Sequence, residues 1–341
     1  MKRKPLLLVL LLLFSITLAN CNLPQISISV PTETLIPSPP TADIPTHLPT
    51  AELGLAENPL ILALAPSADS PEQVNAAREL AAQFLEQTGY VVVTIVPDSY
   101  ASLVEALENG NAHIVLLDPL SYALAHQQDL VRAQYAVVND EKIKYGMQFI
   151  APRKSGLVPY FNPDTGANSA DASVALEQFN DKKPCWSEET SPSGYMIPLG
   201  ILNQAQVRIR PAAFVGGQTT VVRSLYVGGV CDFGGTYIDA RKFPSLENEY
   251  PDLIEQVLVI WQAPEIIPYA VLAFSTNMSQ PMRDLFAGVI PAILQTEAGN
   301  AAFNTAYGIE SLQGVNDGDF REFLVYMEES RLDLAALITK E

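Results

Sequence analysis

The sequence predicts an α/β protein built as two doubly wound lobes with a ligand cleft between them. Three observations carry that expectation. Strand-like and helix-like segments alternate from Pro59 onward at the spacing of βαβ units. A second region, 151–263, carries its own α/β pattern, with paired glycines at Gly216-Gly217 and Gly228-Gly229. The chain then runs through VLVIWQAPEIIPYAVLAF and closes with a helical part. Residues 58–150 plus 264–341 are assigned to lobe 1 and 151–263 to lobe 2. A cleft between two lobes is a preferred place for a ligand.

Each element of the first lobe follows from local chemistry. PLILALAP (Pro59 to Pro66) is a short apolar run bounded by prolines, as a buried parallel strand requires. A helix follows, capped by Ser70, with Pro71 at its first position and Gln73 completing a capping box. Val74, Ala77, Leu80, Ala81, Phe84 and Leu85 form its apolar face, and Gly89 ends it. VVVTIV (91–96) is the second strand and Tyr100 to Asn109 the second helix, closed by Gly110. HIVLLD (113–118) is the third strand and Pro119 to His126 the third helix. In such sheets ligands bind at the carboxyl ends of the strands, where Ser67, Tyr100, Asp118 and Tyr122 fall. The C-terminal part is helical over Met282 to Leu294, Ala298 to Tyr307 and Asp319 to Glu328.

The chain has 341 residues, 48% of them hydrophobic, which is enough for two lobes with real cores. A net charge of −18 argues against nucleic acid as a partner, because no basic face is available to neutralise phosphates. A small anion is still compatible, since local N–H donors act well inside the screening length of about 8 Å. Lys2, Arg3 and Lys4 precede the apolar run Leu6 to Phe14, which has the length of a signal-peptide core and not of a membrane span. The run ends in Leu18-Ala19-Asn20-Cys21, which resembles the lipobox of bacterial lipoproteins. Residues 1–20 are therefore expected to be a signal peptide, with lipid on Cys21 holding the exported protein at the outer face of the cytoplasmic membrane. The Pro- and Thr-rich segment up to residue 57 reads as an extended tether.

Two cysteines remain, Cys185 and Cys231, either bridged, as export permits, or present as two buried thiols. Neither has a second cysteine or a histidine at ligand spacing, and the three histidines are scattered, so no metal site and no cofactor is expected.

The stretch ETSPSGYMIPLGIL (Glu189 to Leu202) carries most of the chemistry. Two serines and a glycine precede an apolar helical run, and the first turn of a helix holds unpartnered N–H groups and a partial positive charge. That arrangement either cradles a phosphate-like anion or simply caps the helix.

SPSGYMIP, together with YASLVEALENGNAHIVLLDPLSYALA in the first lobe and FVGGQTTVVRSLYVGGVCDFGG in the second, resembles the substrate-binding proteins of phosphate, phosphite and phosphonate ABC transporters. The resemblance covers most of the chain after the tether and implies the type II periplasmic-binding-protein fold. It implies that Ser191, Ser193 and the N–H of Gly194 donate to phosphoryl oxygens, that Tyr100 and Tyr122 reach the ligand from lobe 1, and that Ser67 lies in the strand-end loop beside it. It places Asp232 as an acidic contact, favouring a ligand that keeps a proton or an amine. Pro192 stands where the family has a threonine, and Gln218, or Thr219, where it has a histidine. The implied partners are a small anionic solute, an ABC permease and its ATPase, with the binding protein a monomer. Two alternatives are a ligand-sensing surface lipoprotein of the same fold and a hydrolase using Ser193. The second lacks both a Gly-x-Ser-x-Gly setting and an evident activating histidine.

Overall fold

Ser70 opens the first long helix as its sequence dictates. Its Oγ accepts the Gln73 N–H at 3.1 Å, and the Gln73 side chain accepts the Ser70 N–H at 3.4 Å. The helix, α1 (Pro71–Thr88), ends at Gly89, which takes the left-handed conformation at φ 78°. The structure is a computed structural model and describes residues 51–66 and 70–340. Cys21, Ser67 and the signal segment lie outside the described residues. No described helix is long and apolar enough to cross a membrane.

The first sheet has six strands in the order β13-β4-β12-β3-β1-β2. These are β1 (Leu60–Ala63), β2 (Val92–Ile95), β3 (Ile114–Leu117), β4 (Val131–Val137), β12 (Val271–Ser275) and β13 (Leu312–Gly314). β1 pairs in parallel with β2 and β3, as the alternating pattern requires, whereas β12 enters antiparallel between β3 and β4. α2 (Tyr100–Glu108) and α3 (Pro119–Gln127) start at the carboxyl ends of β2 and β3. α1 packs with α9 (Gln280–Leu294) and α10 (Glu297–Tyr307) over a core that includes Leu80, Phe84, Phe286 and Phe303. The buried His113 accepts the Ile61 N–H at 3.1 Å, and burial lowers its pKa to about 4, so it is a neutral acceptor.

The second sheet has five strands in the order β11-β5-β10-β8-β9. They are β5 (Lys144–Pro152), β8 (Pro184–Trp186), β9 (Ala213–Phe214), β10 (Phe233–Tyr237) and β11 (Val257–Pro268). β6 (Phe161–Asn162) and β7 (Ala167–Asn168) make a separate small hairpin. Short helices α4 (Ala172–Ala175), α7 (Pro244–Glu249) and α8 (Leu253–Gln256) fill the connections, with α5 (Ile197–Gln204) and α6 (Gln218–Val227) the longer ones. At the C-terminus α11 (Arg321–Glu329) packs on α5, and α12 (Leu334–Ile338) packs on α2 and α3.

Two boundaries differ from those drawn on the sequence. β5 and β11 pair antiparallel from Pro152 with Val257 to Lys144 with Pro268, so both belong to the second sheet along their length. The chain thus changes sheets at 138–143 and again at Tyr269-Ala270, outside the limits 151 and 263. An apolar run shows that a strand is buried but not which sheet it joins. At the other end, the Gly54 N–H bonds to the Asn58 carbonyl and the Gly54 carbonyl accepts from Val91, so the packed chain begins before residue 58.

Cys185 of β8 and Cys231, two residues before β10, form a disulfide, which resolves the choice the sequence left open. The two strands are parallel neighbours, and pairing of Gly234 with Cys185 brings the cysteines together. The bridge spans a sequence separation of 46 residues, for which chain entropy gives about 3–4 kcal/mol. The double variant Cys185→Ala/Cys231→Ala is expected to unfold in urea with its free energy lowered by about that much. An unchanged midpoint would show that the bridge does not constrain the unfolded chain.

Candidate functional site

β8 ends at Trp186, and the chain passes through a loop to Ser191 before turning into a helix at Pro192. Proline suits this place, because an N–H in the first turn has no acceptor within the helix. The turn Pro192–Met196 is of the wide π type and continues directly into α5, so a continuous helix points its N-terminus at this loop.

Ser191 caps that helix, accepting the Gly194 N–H at 3.1 Å. Gln218, the first residue of α6, donates its Nε2 to Ser191 Oγ at 3.0 Å and to Ser193 Oγ at 3.2 Å. The Tyr237 N–H donates to Gln218 Oε1 at 3.1 Å, which fixes the amide with its NH₂ group toward the serines. A hydroxyl oxygen offers two lone pairs and one proton. Both lone pairs of Ser191 are filled by N–H donors, so its own proton is directed to an acceptor outside these bonds. Ser193, only 4% exposed, lies beside the Tyr145 hydroxyl of β5, near enough to act on its ionisation. Burial holds the Tyr145 phenol well above its ordinary range, so both groups keep their protons at neutral pH.

Two buried hydroxyls, Ser187 and Ser121, have no partner among the described residues. Ser187 follows β8, and its N–H donates to the Gly194 carbonyl at 3.3 Å. A Cβ built on Gly194 would stand 2.0 Å from Ser187 Oγ and 2.8 Å from Gln218 Nε2, so only glycine fits here. Buried polar atoms without partners are few in folded proteins, and Ser187 Oγ is one that lies against this loop.

The first sheet contributes from the opposite side. Asp118 follows β3 and caps α3, its Oδ1 accepting the Ser121 N–H at 2.8 Å. Its charge reaches Tyr145, adding to burial in holding that phenol up. The Tyr269 ring, at the return between sheets, lies 5.3 Å from the Tyr145 ring. Tyr100 opens α2, half-buried against the larger core.

Several sequence expectations change at this level. Tyr122 is fully buried, donates its hydroxyl to Asp317 Oδ1 at 2.9 Å and packs edge-on against Phe320, so it belongs to the core. Asp232 lies at the opposite, N-terminal edge of β8 and β10, where its Oδ2 accepts from Arg210 at 2.7 Å and from the Lys183 N–H at 2.7 Å. The Gly194 N–H is committed to Ser191, and all N–H bonds of Gln218 go to the two serines, so both act by shaping the cluster. Thr219 follows Gln218 in α6, half-buried, its hydroxyl in no hydrogen bond among the described residues. Tyr145 and Ser187 escaped sequence reasoning. Their only signal is position, one at the start of a long strand and the other just past a short one. A separate cavity of about 720 Å³ lies between α3 and the C-terminal helices, lined by His126, Arg321 and Arg331 among others, and neither unpartnered hydroxyl faces it.

Comparison with known proteins agrees with this architecture. The profile of the family described as "ABC transporter, phosphonate, periplasmic substrate-binding protein" matches residues 62–320. Among solved structures, XAC2383 from Xanthomonas citri bound to ATP superposes with a TM-score of 0.56 at 13% identity, over 82% of this chain and 98% of that one. The same protein bound to chloride ion gives 0.54 at 14% identity, with the same coverage. PhnD1 from Prochlorococcus marinus in complex with methylphosphonate gives 0.45 at 15% identity, over 80% of this chain and 97% of that one.

Proposed function

The chain belongs to the family of phosphonate substrate-binding proteins of ABC transporters, an extracytoplasmic binding protein and not an enzyme, and from that premise we propose that Ser191, Ser193 and Tyr145 form the cradle for the oxyanion of its solute. The observation that carries this reading is the filled lone pairs of Ser191. A cluster whose remaining hydroxyl protons all point outward is complementary to a ligand that only accepts, as the oxygens of a phosphonate, phosphite or phosphate do. Ser187 and the Ser193 N–H supply further donors, and the helix N-terminus adds its partial charge.

Gln218 acts as a positioning residue, holding both serines as donors without touching the ligand. Tyr100 and the α3 start close over the solute from the first sheet, and closure about the crossings at 138–143 and Tyr269-Ala270 shifts the population toward the bound form. The loaded protein delivers its solute to a permease with its ATPase, from a lipid anchor on Cys21 at the outer face of the cytoplasmic membrane.

Calorimetric titration with phosphate, phosphite, methylphosphonate, 2-aminoethylphosphonate, sulfate and molybdate tests the reading. At least one phosphorus oxyanion is expected to bind. Ser191→Ala and Ser193→Ala are each expected to weaken it about tenfold or more, as loss of a hydrogen bond to a charged group does, without lowering the unfolding midpoint by more than a few degrees. Unchanged affinity in both variants would remove the serines from the site.

A further inference from the structure

Glu189 stands two residues before Ser191, in the loop that leads from β8 into the serine cluster, and its carboxylate is paired with the Lys340 ammonium. Lys340 follows α12, a helix that packs on α2 and α3 of the first lobe and buries Leu334, Leu337 and Ile338. The pair thus joins groups 151 positions apart, one on the cradle loop of the second lobe and one on a helix seated against the first. Glu188, the other acid of the loop, is exposed and forms no salt bridge among the described residues.

The helix before α12 is fastened to the other lobe. α11 packs on α5, the helix that Ser191 and Ser193 open, and Asn203 Nδ2 of α5 donates to the Glu329 and Ser330 carbonyls at 2.9 and 3.3 Å. The chain then turns at Arg331, in the left-handed region at φ 57°, and enters α12 at Leu334. α11 and α12 together form a strap between the lobes, separate from the crossings at 138–143 and Tyr269-Ala270. The Lys340–Glu189 pair brings the end of that strap back to the cradle loop.

We infer that Lys340 is a positioning residue for oxyanion binding, which acts through Glu189 by tying the cradle loop to the first lobe when the cleft is closed. The inference rests on the oxyanion reading of the serine cluster and adds to it a residue that never touches the solute. Turning of the lobes about the crossings carries α12 with the first sheet and Glu189 with the second, so the pair belongs to one arrangement of the lobes. A contact made in one arrangement alone shifts the equilibrium toward it by the free energy of that contact. The side chains of Lys340 and Glu189 are 55% and 46% exposed, so the effect is that of a surface pair, about two- to fivefold in affinity. Because the tie forms around a solute already enclosed, its loss acts on dissociation and leaves association unchanged.

The full chain in detergent is titrated by calorimetry, and its dissociation followed by stopped flow, with phosphate, phosphite, methylphosphonate and 2-aminoethylphosphonate. Lys340→Met is expected to weaken binding about two- to fivefold through faster dissociation, with the unfolding midpoint within about 3 °C of wild type. Lys340→Arg is expected to bind as wild type does. In a chain already carrying Glu189→Gln, Lys340→Met is expected to add no further loss, because both changes remove the same contact. Glu188→Gln removes a like charge from the same loop without breaking a pair, and is expected not to weaken binding. Equal weakening by Lys340→Met in both backgrounds would mean that the lysine attracts the anion directly, and overturns the tie. So would a loss in Glu188→Gln as large as that in Glu189→Gln. Unchanged affinity in Lys340→Met, with Ser193→Ala still weakening binding, overturns the role of Lys340 and leaves the oxyanion cradle standing. Failure of wild type to bind any of the four anions overturns both.

Discussion

Arg241→Met is expected to lower the unfolding free energy by about 3–5 kcal/mol at neutral pH, the largest stability effect foreseen for a single substitution in this chain. Arg241 is 9% exposed and donates Nη2 and Nε to the Asp239 carboxylate at 2.6 and 2.9 Å, and Nη1 to the Val257 carbonyl at 2.8 Å. Asp239 also accepts from Gln148 at 2.7 Å, and Gln148 in turn accepts from Gln262 of β11 at 3.0 Å. Removing the guanidinium leaves a buried carboxylate with only the Gln148 amide and the backbone N–H of residue 241 as donors, and the energetic penalty comes from that uncompensated charge more than from the lost pair itself. Burial works to raise the Asp239 pKa, but the bonds from Arg241 and Gln148 prevail and hold it below the ordinary value. In wild type the pair therefore contributes stability above the unfolded carboxyl pKa, and that contribution fades as the pH falls through the lower folded value. In Arg241→Met burial is opposed only by the Gln148 amide and one backbone N–H, the folded carboxyl binds its proton more readily, and the deficit should shrink on acidification from neutral pH. Urea melts at several pH values, with Arg241→Met/Asp239→Asn as the rescue, check this. A deficit that is the same at every pH, with no gain from the second change, would mean that packing and not charge is lost.

Gly194→Ala should reduce oxyanion affinity by two orders of magnitude or more while costing about 1–3 kcal/mol of stability. The new methyl would stand 2.0 Å from Ser187 Oγ and 2.9 Å from Ser187 Cβ, both in a buried side chain, and 2.8 Å from Gln218 Nε2. Relief requires the Gln218 amide or the loop after β8 to move. Either movement frees the lone pairs of Ser191 and Ser193, so the hydroxyls no longer present their protons in one direction. Removing the obstruction by Ser187→Gly in the same chain should recover part of the affinity. Normal binding by Gly194→Ala alone would show that the packing of Gly194 against Ser187 and Gln218 does not set the geometry of the cradle.

The helix starts of this protein were readable from the sequence because their causes are local. Ser70, Pro71, Gln73 and Gly89 mark both ends of α1 within the reach of single side chains, and the structure forms each of those bonds. The serines and glycine before α5 were readable for the same reason, since capping joins residues three apart. Tyr122 and Asp232 were misplaced because their partners are distant. The Tyr122 hydroxyl meets an aspartate 195 positions away, and Asp232 meets Arg210 across a sheet edge. No local pattern distinguishes a tyrosine that faces a cleft from one whose hydroxyl is satisfied in the core.

The sequence by itself determined the α/β class, the alternation that builds the first lobe, and the place where helix N–H groups and hydroxyls gather, because periodicity and capping are set by near neighbours. Only the tertiary structure decided that Cys185 and Cys231 pair, that Tyr122 spends its hydroxyl on Asp317 in the core while Tyr145 lies beside Ser193, and that Gln218 turns both serines into donors. Those outcomes depend on which lone pair or proton is already engaged, and engagement is settled by strands and helices brought together from far apart in the chain.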